Sequence, residues 1–400
     1  MTFTEHLDTS GTTFVTLGIP VELTQELARK QITTPTPIQR AAIPPALAAR
    51  DVCGKAKTGS GKTLAFGLPL LATIGPGAAQ QPAAIVLVPT RELAVQVRDA
   101  LEPLGRAVSR RVVAVYGGTS VRVQADLVAT SVAVVVATPG RLIDLIERDA
   151  IDLSALTAVV IDEADRMADM GFLPQVEWIL RRTTGRKQTM LFSATLDGEV
   201  DVLINRYLNE PVRVEVTGIA PTVASMRHFF LKVHEMDRDK VVAAIAKGVT
   251  RTIVFCATKR ACDRVARSLH GLGIEAAAIH GDLRQRDRER ALARFSEGKH
   301  AVLVATDVAA RGIHVDEVDA VVHYDPSDDH KSYLHRSGRT ARAGASGFAV
   351  TLLLWNQELE VRRLKRRLQL EALPIIEVFS NDTRLGDLHA FARQLEASQA

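Results

Sequence analysis

Val159-Val160-Ile161-Asp162-Glu163-Ala164-Asp165-Arg166-Met167 sets three branched apolar residues ahead of three acids within four positions. Such a run predicts a buried strand that ends in an exposed turn. The acids then stand at the carboxyl end of that strand, the edge where open α/β sheets bind ligands. Asp162 and Glu163 are neighbours, so one carboxylate can face a metal ion and the other an attacking water. Acids also favour the first turn of a helix, and the stretch alone does not separate the two readings.

On either side of this stretch the chain alternates. Ala84 to Val88, Val112 to Val115, Val132 to Ala137, Ala158 to Ile161 and Thr189 to Phe192 read as short buried strands, with helical spacing between them at Arg91 to Leu101 and Arg141 to Glu147. A second series follows, with strands at Thr252 to Cys256, Ala276 to Ile279, Ala301 to Ala305, Ala320 to His323 and Phe348 to Leu354. Its helices are expected at Lys259 to Leu272, Gln285 to Phe295 and Asn356 to Leu370. This is the pattern of parallel sheets covered by helices, an α/β fold. Pro211 to Ser225, with Gly218 and Pro221, has no helical period and reads as a connector. The expected division is a first domain over 1–210, a linker over 211–225, a second domain over 226–382 and a short tail over 383–400. Periodicity alone does not show whether the two halves share a fold.

A chain of 400 residues is too long for one ordinary core, which agrees with two domains. No apolar run reaches the roughly 18 residues needed to span a bilayer, and Met1 to Ser10 lacks the basic start and apolar core of a signal peptide. A cytoplasmic protein with no membrane partner is expected. Cys53, Cys256 and Cys262 are an odd number without metal-site spacing and fit reduced thiols. A formal charge of +4 and a pI near 9 permit a polyanionic partner without requiring one. With only 4% aromatic residues, recognition through base stacking is disfavoured and backbone-directed binding is the expected mode.

Ala56-Lys57-Thr58-Gly59-Ser60-Gly61-Lys62-Thr63 lies between a strand-like Asp51-Val52-Cys53 and a helix-like Leu64 to Leu71. Small residues let backbone N–H groups close around phosphate oxygens. Lys62 can reach the β and γ phosphates, and the Thr63 hydroxyl can take a place on Mg²⁺. The following helix points its positive end at the same anion. The strict pattern has glycine where this chain has Ala56. A phosphate loop followed later by a strand ending in an aspartate is the pairing of a P-loop nucleotidase, with Asp162 as the metal-holding acid.

Further motifs stand in a fixed order: Thr34-Pro35-Thr36-Pro37-Ile38-Gln39, the phosphate loop, Pro89-Thr90-Arg91-Glu92-Leu93-Ala94, Gly117-Gly118 and Thr138-Pro139-Gly140-Arg141. Asp162-Glu163-Ala164-Asp165, Ser193-Ala194-Thr195, Val304-Ala305-Thr306-Asp307-Val308-Ala309-Ala310-Arg311-Gly312 and His335-Arg336-Ser337-Gly338-Arg339-Thr340-Ala341-Arg342 follow. From Phe14 to Gly344 the chain resembles the DEAD-box ATP-dependent RNA helicases, most of all the short-tailed bacterial ones. The resemblance implies two RecA-like domains, each a mostly parallel sheet flanked by helices, and an RNA-dependent ATPase that uses ATP with Mg²⁺ to unwind or remodel RNA.

It also implies roles. Gln39 reads the adenine edge, since an amide donates and accepts at once, and Phe14 stacks on the base. Asp162 holds Mg²⁺ through water, and Glu163 orients or deprotonates the attacking water. Asp165 completes the nucleotide site, and Ser193 and Thr195 link hydrolysis to the domain interface. Arg339 and Arg342 resemble arginine fingers, whose delocalised cations offset charge on the transferring phosphoryl group. His335 resembles the histidine that meets the acidic motif. Thr90, Arg91, Gly118, Thr138 and Arg141, with Gln285, Arg288, Thr306, Arg311 and Gly312, are the implied RNA contacts. Hydroxyls, amides and arginines of this kind grip the phosphate backbone with little sequence information.

The chain departs from the family pattern at several points. His314 replaces the aspartate that helps hold the ribose, Ala341 replaces a glycine between the fingers, Gln31-Ile32 replaces a Gly-aromatic pair, and Lys57 replaces a glutamine. Val361 to Arg367 is strongly basic, either a solvated helix face or an extra phosphate-binding strip. With no specificity module in view, weak sequence preference and recruitment by partner proteins are expected, with ribosome assembly, RNA decay and cold adaptation all open as settings.

Overall fold

Runs of valine, isoleucine and alanine too short for helices form many of the strands of the structure, a computed structural model that describes residues 12–56, 59–183, 185–216, 226–310, 318–327, 329–340 and 347–399. The chain divides into two compact units, residues 1–218 and 219–400.

The first unit holds β1 (Val52–Lys55), β2 (Ala84–Leu87), β3 (Val112–Val115), β4 (Val134–Ala137), β5 (Ala158–Asp162), β6 (Gln188–Ser193) and β7 (Val212–Glu215). They pair in the order β3-β4-β2-β5-β6-β1-β7, parallel throughout. Alternate residues of one strand enter different cores. Val86 and Val160 join an apolar cluster on one side of the sheet, and Ile85, Leu87, Val159 and Ile161 join another on the opposite side. Burial on both faces is what a parallel sheet under two helix layers requires, and it explains why these strands read as unbroken apolar runs.

The second unit holds β8 (Met226–Lys232), β9 (Thr252–Phe255), β10 (Ala276–Ile279), β11 (Val302–Ala305), β12 (Ala320–His323), β13 (Gly347–Leu353) and β14 (Ile375–Glu377). Their order is β10-β11-β9-β12-β13-β8-β14, again parallel throughout. Each second-unit strand occupies the place of the first-unit strand numbered seven lower. The two halves therefore share one topology, which periodicity had left open.

Two expected boundaries are corrected. Residues 212–215, placed in the linker, form edge strand β7, which pairs with β1; residues 217–225 lie outside the described residues. The 383–400 stretch is not a separate tail. Leu385, Leu388, Phe391 and Ala392 are buried in the second unit's core, and the helix Leu388–Gln399 is part of that unit. Among the described residues no helix is long and apolar enough to cross a membrane.

Candidate functional site

The strand order sorts the first unit's site residues into two groups at one sheet edge. Gly118, Thr138 and Thr90 follow β3, β4 and β2, which are neighbours; Asp162, Ser193 and the phosphate loop follow β5, β6 and β1, which are the next neighbours.

In the second group Gly61 takes φ 93° and caps the helix Lys62–Thr73. A Cβ there would lie 2.4 Å from Gln39 Nε2, so only glycine lets the loop close on the preceding motif. Gln39 Nε2 donates to the Gly61 carbonyl at 3.0 Å, and Thr36 Oγ1 donates to the Ser60 carbonyl at 2.9 Å. Gln39 Oε1 accepts from the Thr36 amide at 2.9 Å. Both ends of the Gln39 amide are thus engaged inside the protein, and the residue is 2% exposed. The structure gives it a part in shaping the loop; adenine reading would require these bonds to be exchanged. Phe14 is 3% exposed and belongs to the apolar core with Ile19 and Leu23, so its ring serves packing here instead of offering an open stacking face.

The buried Lys62 places Nζ 3.8 Å from Asp162 Oδ1, on the last residue of β5. Asp162 Oδ1 also accepts from the Glu163 amide at 3.0 Å. Thr63 is half-buried one residue on. Carboxylate and hydroxyl oxygens beside a lysine suit a hard divalent cation on a phosphate chain. Glu163 stands at φ 55°, ψ 50°, the left-handed region, immediately before the helix Ala164–Asp169. Non-glycine residues seldom adopt it, and strain of this kind concentrates at functional sites. The Glu163 carboxylate accepts from Arg166 Nη1 at 2.6 Å, both groups being buried. Arg166 was not singled out from the sequence, although its spacing of three on a helix start was a signal for the pair.

Asp165 bonds within the protein. Its carboxylate accepts from the Arg166 and Ala194 amides at 3.0 and 3.2 Å, and its own amide donates to Ser193 Oγ at 3.1 Å. It joins the acidic motif to the end of β6. Ser193 is fully buried, its carbonyl accepts from the Ala56 amide at 2.9 Å, and Thr195 is half-buried beyond it. Ala56, Gly59 and Ser60 complete the described part of the loop. On β1, burial pushes the Cys53 thiol up to about 11, so it stays protonated in the core.

In the first group Thr90 Oγ1 caps the helix Arg91–Ala107 by accepting from the Leu93 amide at 3.3 Å. Gly118 takes φ 84°, and a Cβ there would sit 1.8 Å from Arg91 Nη1. The guanidinium therefore lies against the Gly118 backbone. Thr138 caps the helix Pro139–Glu147 in extended conformation. Arg141 is buried: it donates to Gln124 Oε1 at 2.6 Å and to the Thr119 carbonyl at 3.0 Å, and burial lowers its pKa. It braces the turn that carries Gly118, with Gln124, which the sequence reading did not include, as its partner.

In the second unit Arg288 donates to the Ala309 carbonyl at 2.6 Å, and the buried Thr306 accepts from the Ala309 amide at 3.4 Å. Both support the helix Asp307–Ala310. Asp307 takes a two-pronged bond from Arg336 at 2.6 and 2.7 Å, and Arg336 also donates to the Asp325 carbonyl at 2.8 Å. Arg336 thereby ties the motif containing Arg339 to the one containing Thr306; the partners lie far apart in sequence, so no local spacing announced them. Arg339 is buried and His335 exposed at the end of the helix His330–Ser337. Beneath them the buried His323 stacks on Tyr333 with centroids 4.5 Å apart, and its Nε2 lies 3.0 Å from Ser337 Oγ. Burial, then the charges of Arg336 and His228, hold His323 well below the usual imidazole value. Thr258 Oγ1 accepts from the Ala261 amide at 3.1 Å and caps the helix that Lys259 opens, as Thr90 does before Arg91. The repeated Thr-cation pair was the signal for it. Lys57, Thr58, Arg311, Gly312, Arg342, His314 and Ala341 lie outside the described residues, as does the side chain of Gln285.

Residues 36–203 match the DEAD/DEAH box helicase family and residues 237–344 the helicase conserved C-terminal domain. The DEAD-box ATP-dependent RNA helicase CshA of Bacillus licheniformis is 39% identical over 356 residues, 88% of this chain and 73% of that one. CshA of Bacillus subtilis is 39% identical over 356 residues, 88% of this chain and 72% of its own. The structure of S. cerevisiae Dbp5 bound to RNA and ADP BeF3 aligns over 98% of this chain and 100% of that one, with TM-score 0.80 and 26% identity. The chain belongs to the DEAD-box ATP-dependent RNA helicases, which are RNA-dependent ATPases.

Proposed function

We propose that hydrolysis is carried by Lys62, Asp162 and Glu163, and that RNA is held by the backbone at the ends of β2, β3 and β4 and their second-unit counterparts. The observation that carries the reading is the end of β5. There a buried lysine faces the first acid at 3.8 Å while the second is held in a left-handed turn by Arg166. Glu163 takes the proton of the attacking water or orients it; Lys62 binds phosphate oxygens. Asp162 and Thr63 would hold Mg²⁺, which supplies charge neutralisation on the phosphates when bound. Arg339 and Arg342 offset charge on the transferring group, and His335 acts with the acidic motif. Thr90, Arg91, Thr138, Thr306 and Lys259 grip RNA phosphates. Arg141, Arg288 and Arg336 act one step back, by fixing the turns that present them. Protein partners in ribosome assembly or RNA decay, and a cytoplasmic location suited to three free cysteines, belong to the same proposal.

The test is steady-state ATP hydrolysis with Mg²⁺, alone and with single-stranded RNA or DNA, with Glu163→Gln as the blank. Stimulation by RNA only, lost in the blank, is expected. Stimulated hydrolysis that survives in Glu163→Gln would remove the β5 acid from the chemistry.

A further inference from the structure

Among the described residues, the second unit's exposed large apolar side chains lie on adjoining segments. Met236 is 82% exposed, Trp355 80%, Leu359 73% and Phe379 54%. They follow β8, β13 and β14, and these are neighbours in the order β13-β8-β14 and run parallel, so the loops leave the same edge. Hydrogen bonds stitch these loops together. The Val233 amide donates to the Leu353 carbonyl and the Val378 amide to the Lys232 carbonyl, each at 3.0 Å. Ser380 donates from its amide and its hydroxyl to the Asp237 carboxylate at 2.6 and 2.7 Å. Lys232 Nζ lies 3.6 Å from Glu358 Oε2. Among the described residues, the first unit's exposed large apolar side chains are four valines, Val15, Val21, Val123 and Val202, on separate segments. Single exposed apolar residues are ordinary; a Trp, a Phe, a Met and a Leu gathered on adjoining loops mark an interaction face.

The charge beside this group is graded: Glu235, Glu360 and Glu377 are exposed next to Met236, Leu359 and Phe379, and arginines take over along the following helix. The helix Glu358–Arg367 buries Val361, Leu364 and Lys365 and exposes Leu359, Glu360, Arg362, Arg363, Arg366 and Arg367. Leu359, Arg363 and Arg366 recur at the spacing of one helix face, so the apolar group runs directly into an arginine row. In the first unit the matching position, after β1, holds the phosphate loop. After β8 there is no glycine loop but His234-Glu235-Met236-Asp237.

We propose that this edge docks a segment of a partner protein that carries aromatic or aliphatic side chains beside acidic ones. Its apolar side chains would cover Trp355, Leu359, Met236 and Phe379, and its carboxylates would meet Arg363 and Arg366. RNA fits less well. Arginines and Trp355 suit it, but Met236 and Leu359 offer neither a ring to stack on a base nor a donor for phosphate. The proposal stands apart from the hydrolysis site and does not depend on its residue assignments.

The test displays random peptides of about 12 residues on phage and selects them on the full-length protein, then measures fluorescein-labelled winners by anisotropy. Peptides with two or more large apolar residues and net negative charge are expected. Their affinity should fall at least about tenfold in a Trp355→Ala/Leu359→Ser double variant and in Arg363→Glu/Arg366→Glu. RNA-free ATP hydrolysis and thermal unfolding should be unchanged in both. Failure to enrich that class, or equal binding to wild type and both variants, overturns the proposal. Weaker binding of an oligouridine by the Trp355→Ala/Leu359→Ser variant, with peptide binding unchanged, assigns the face to RNA and overturns it too.

Discussion

Glu163 combines a proposed chemical role with an unfavourable backbone, and the two can be separated. At φ 55°, ψ 50° it sits where an L-residue costs about 1–2 kcal/mol relative to the right-handed region. Glu163→Ala and Glu163→Gly both delete the carboxylate and both strand the buried Arg166 to the same degree. Their difference therefore reports the backbone alone. Glycine removes the steric cost but loses more freedom on folding, roughly 0.4–1 kcal/mol. The net expectation is that Glu163→Gly is more stable than Glu163→Ala by about 0.5–1 kcal/mol. For a unit of this size that corresponds to about 1–4 °C in the melting transition. Calorimetry on full-length variants, reading the transition of the first unit, gives the difference directly. Both variants should lie below wild type, because a buried arginine that loses its carboxylate costs about 3–5 kcal/mol. Both should also lose about 10²–10⁴-fold in hydrolysis. If the alanine variant melts at or above the glycine variant, the turn is not strained. The carboxylate is then not being held at a backbone cost, and the argument from strain to function fails.

Gly118→Ala should push Arg91 from its place, since the new methyl would lie 1.8 Å from Nη1. RNA affinity by anisotropy should fall about tenfold with ATP affinity kept, and an unchanged affinity would detach this pair from RNA binding. His323 is depressed in the fold, so the unfolded chain takes up its proton first as pH falls. The stability it contributes is complete above about pH 6.5 and is lost below it, by up to about 1.4 kcal/mol per pH unit. Urea unfolding of the second unit at several pH values should show that slope, and His323→Asn should flatten it; an equal slope in the variant would pass the effect to another histidine such as His300. EDTA should stop hydrolysis while nucleotide-free RNA binding persists, and hydrolysis that survives chelation would take Asp162 and Thr63 out of the metal role.

The strands were legible because both faces of a parallel sheet are buried. A run such as Ala158 to Ile161 then carries no polar residue to confuse the reading. The edge strand β7 was not legible: Arg213 and Glu215 are exposed and only Val214 is buried, which in sequence looks like a linker. The site's chemistry was legible where a motif is local, as in the phosphate loop and the β5 acids. It was not where a side chain's duty is set by a distant partner. Asp165 reads as part of the nucleotide site, and in the fold its carboxylate accepts from the Ala194 amide. Arg141 reads as an RNA contact, and in the fold it is buried on Gln124. Phe14 and Gln39 lie where a nucleotide-binding pair is expected, and what engages them here is core packing and the backbone of the phosphate loop.

The shared topology gives these assignments a common origin. Thr138 follows β4 as Thr306 follows β11, and Thr90-Arg91 follows β2 as Thr258-Lys259 follows β9. The strand ends proposed for RNA are thus repeated in both units. The nucleotide end is not. Where Lys62 faces Asp162, the second unit sets Arg238 against Asp325 at 3.1 Å. Tyr324 covers Arg238, its ring centroid 3.9 Å from the guanidinium carbon. A guanidinium stacked on a tyrosine and paired to a carboxylate is a closed structural unit, unlike a lysine beside a glycine loop. On the proposed assignments the phosphate site belongs to the first unit, and the second sets a stacked arginine–carboxylate pair at the corresponding strand ends. If both units hold RNA and phosphate chemistry resides in one, as proposed, that is the division of labour an ATP-driven clamp on RNA requires.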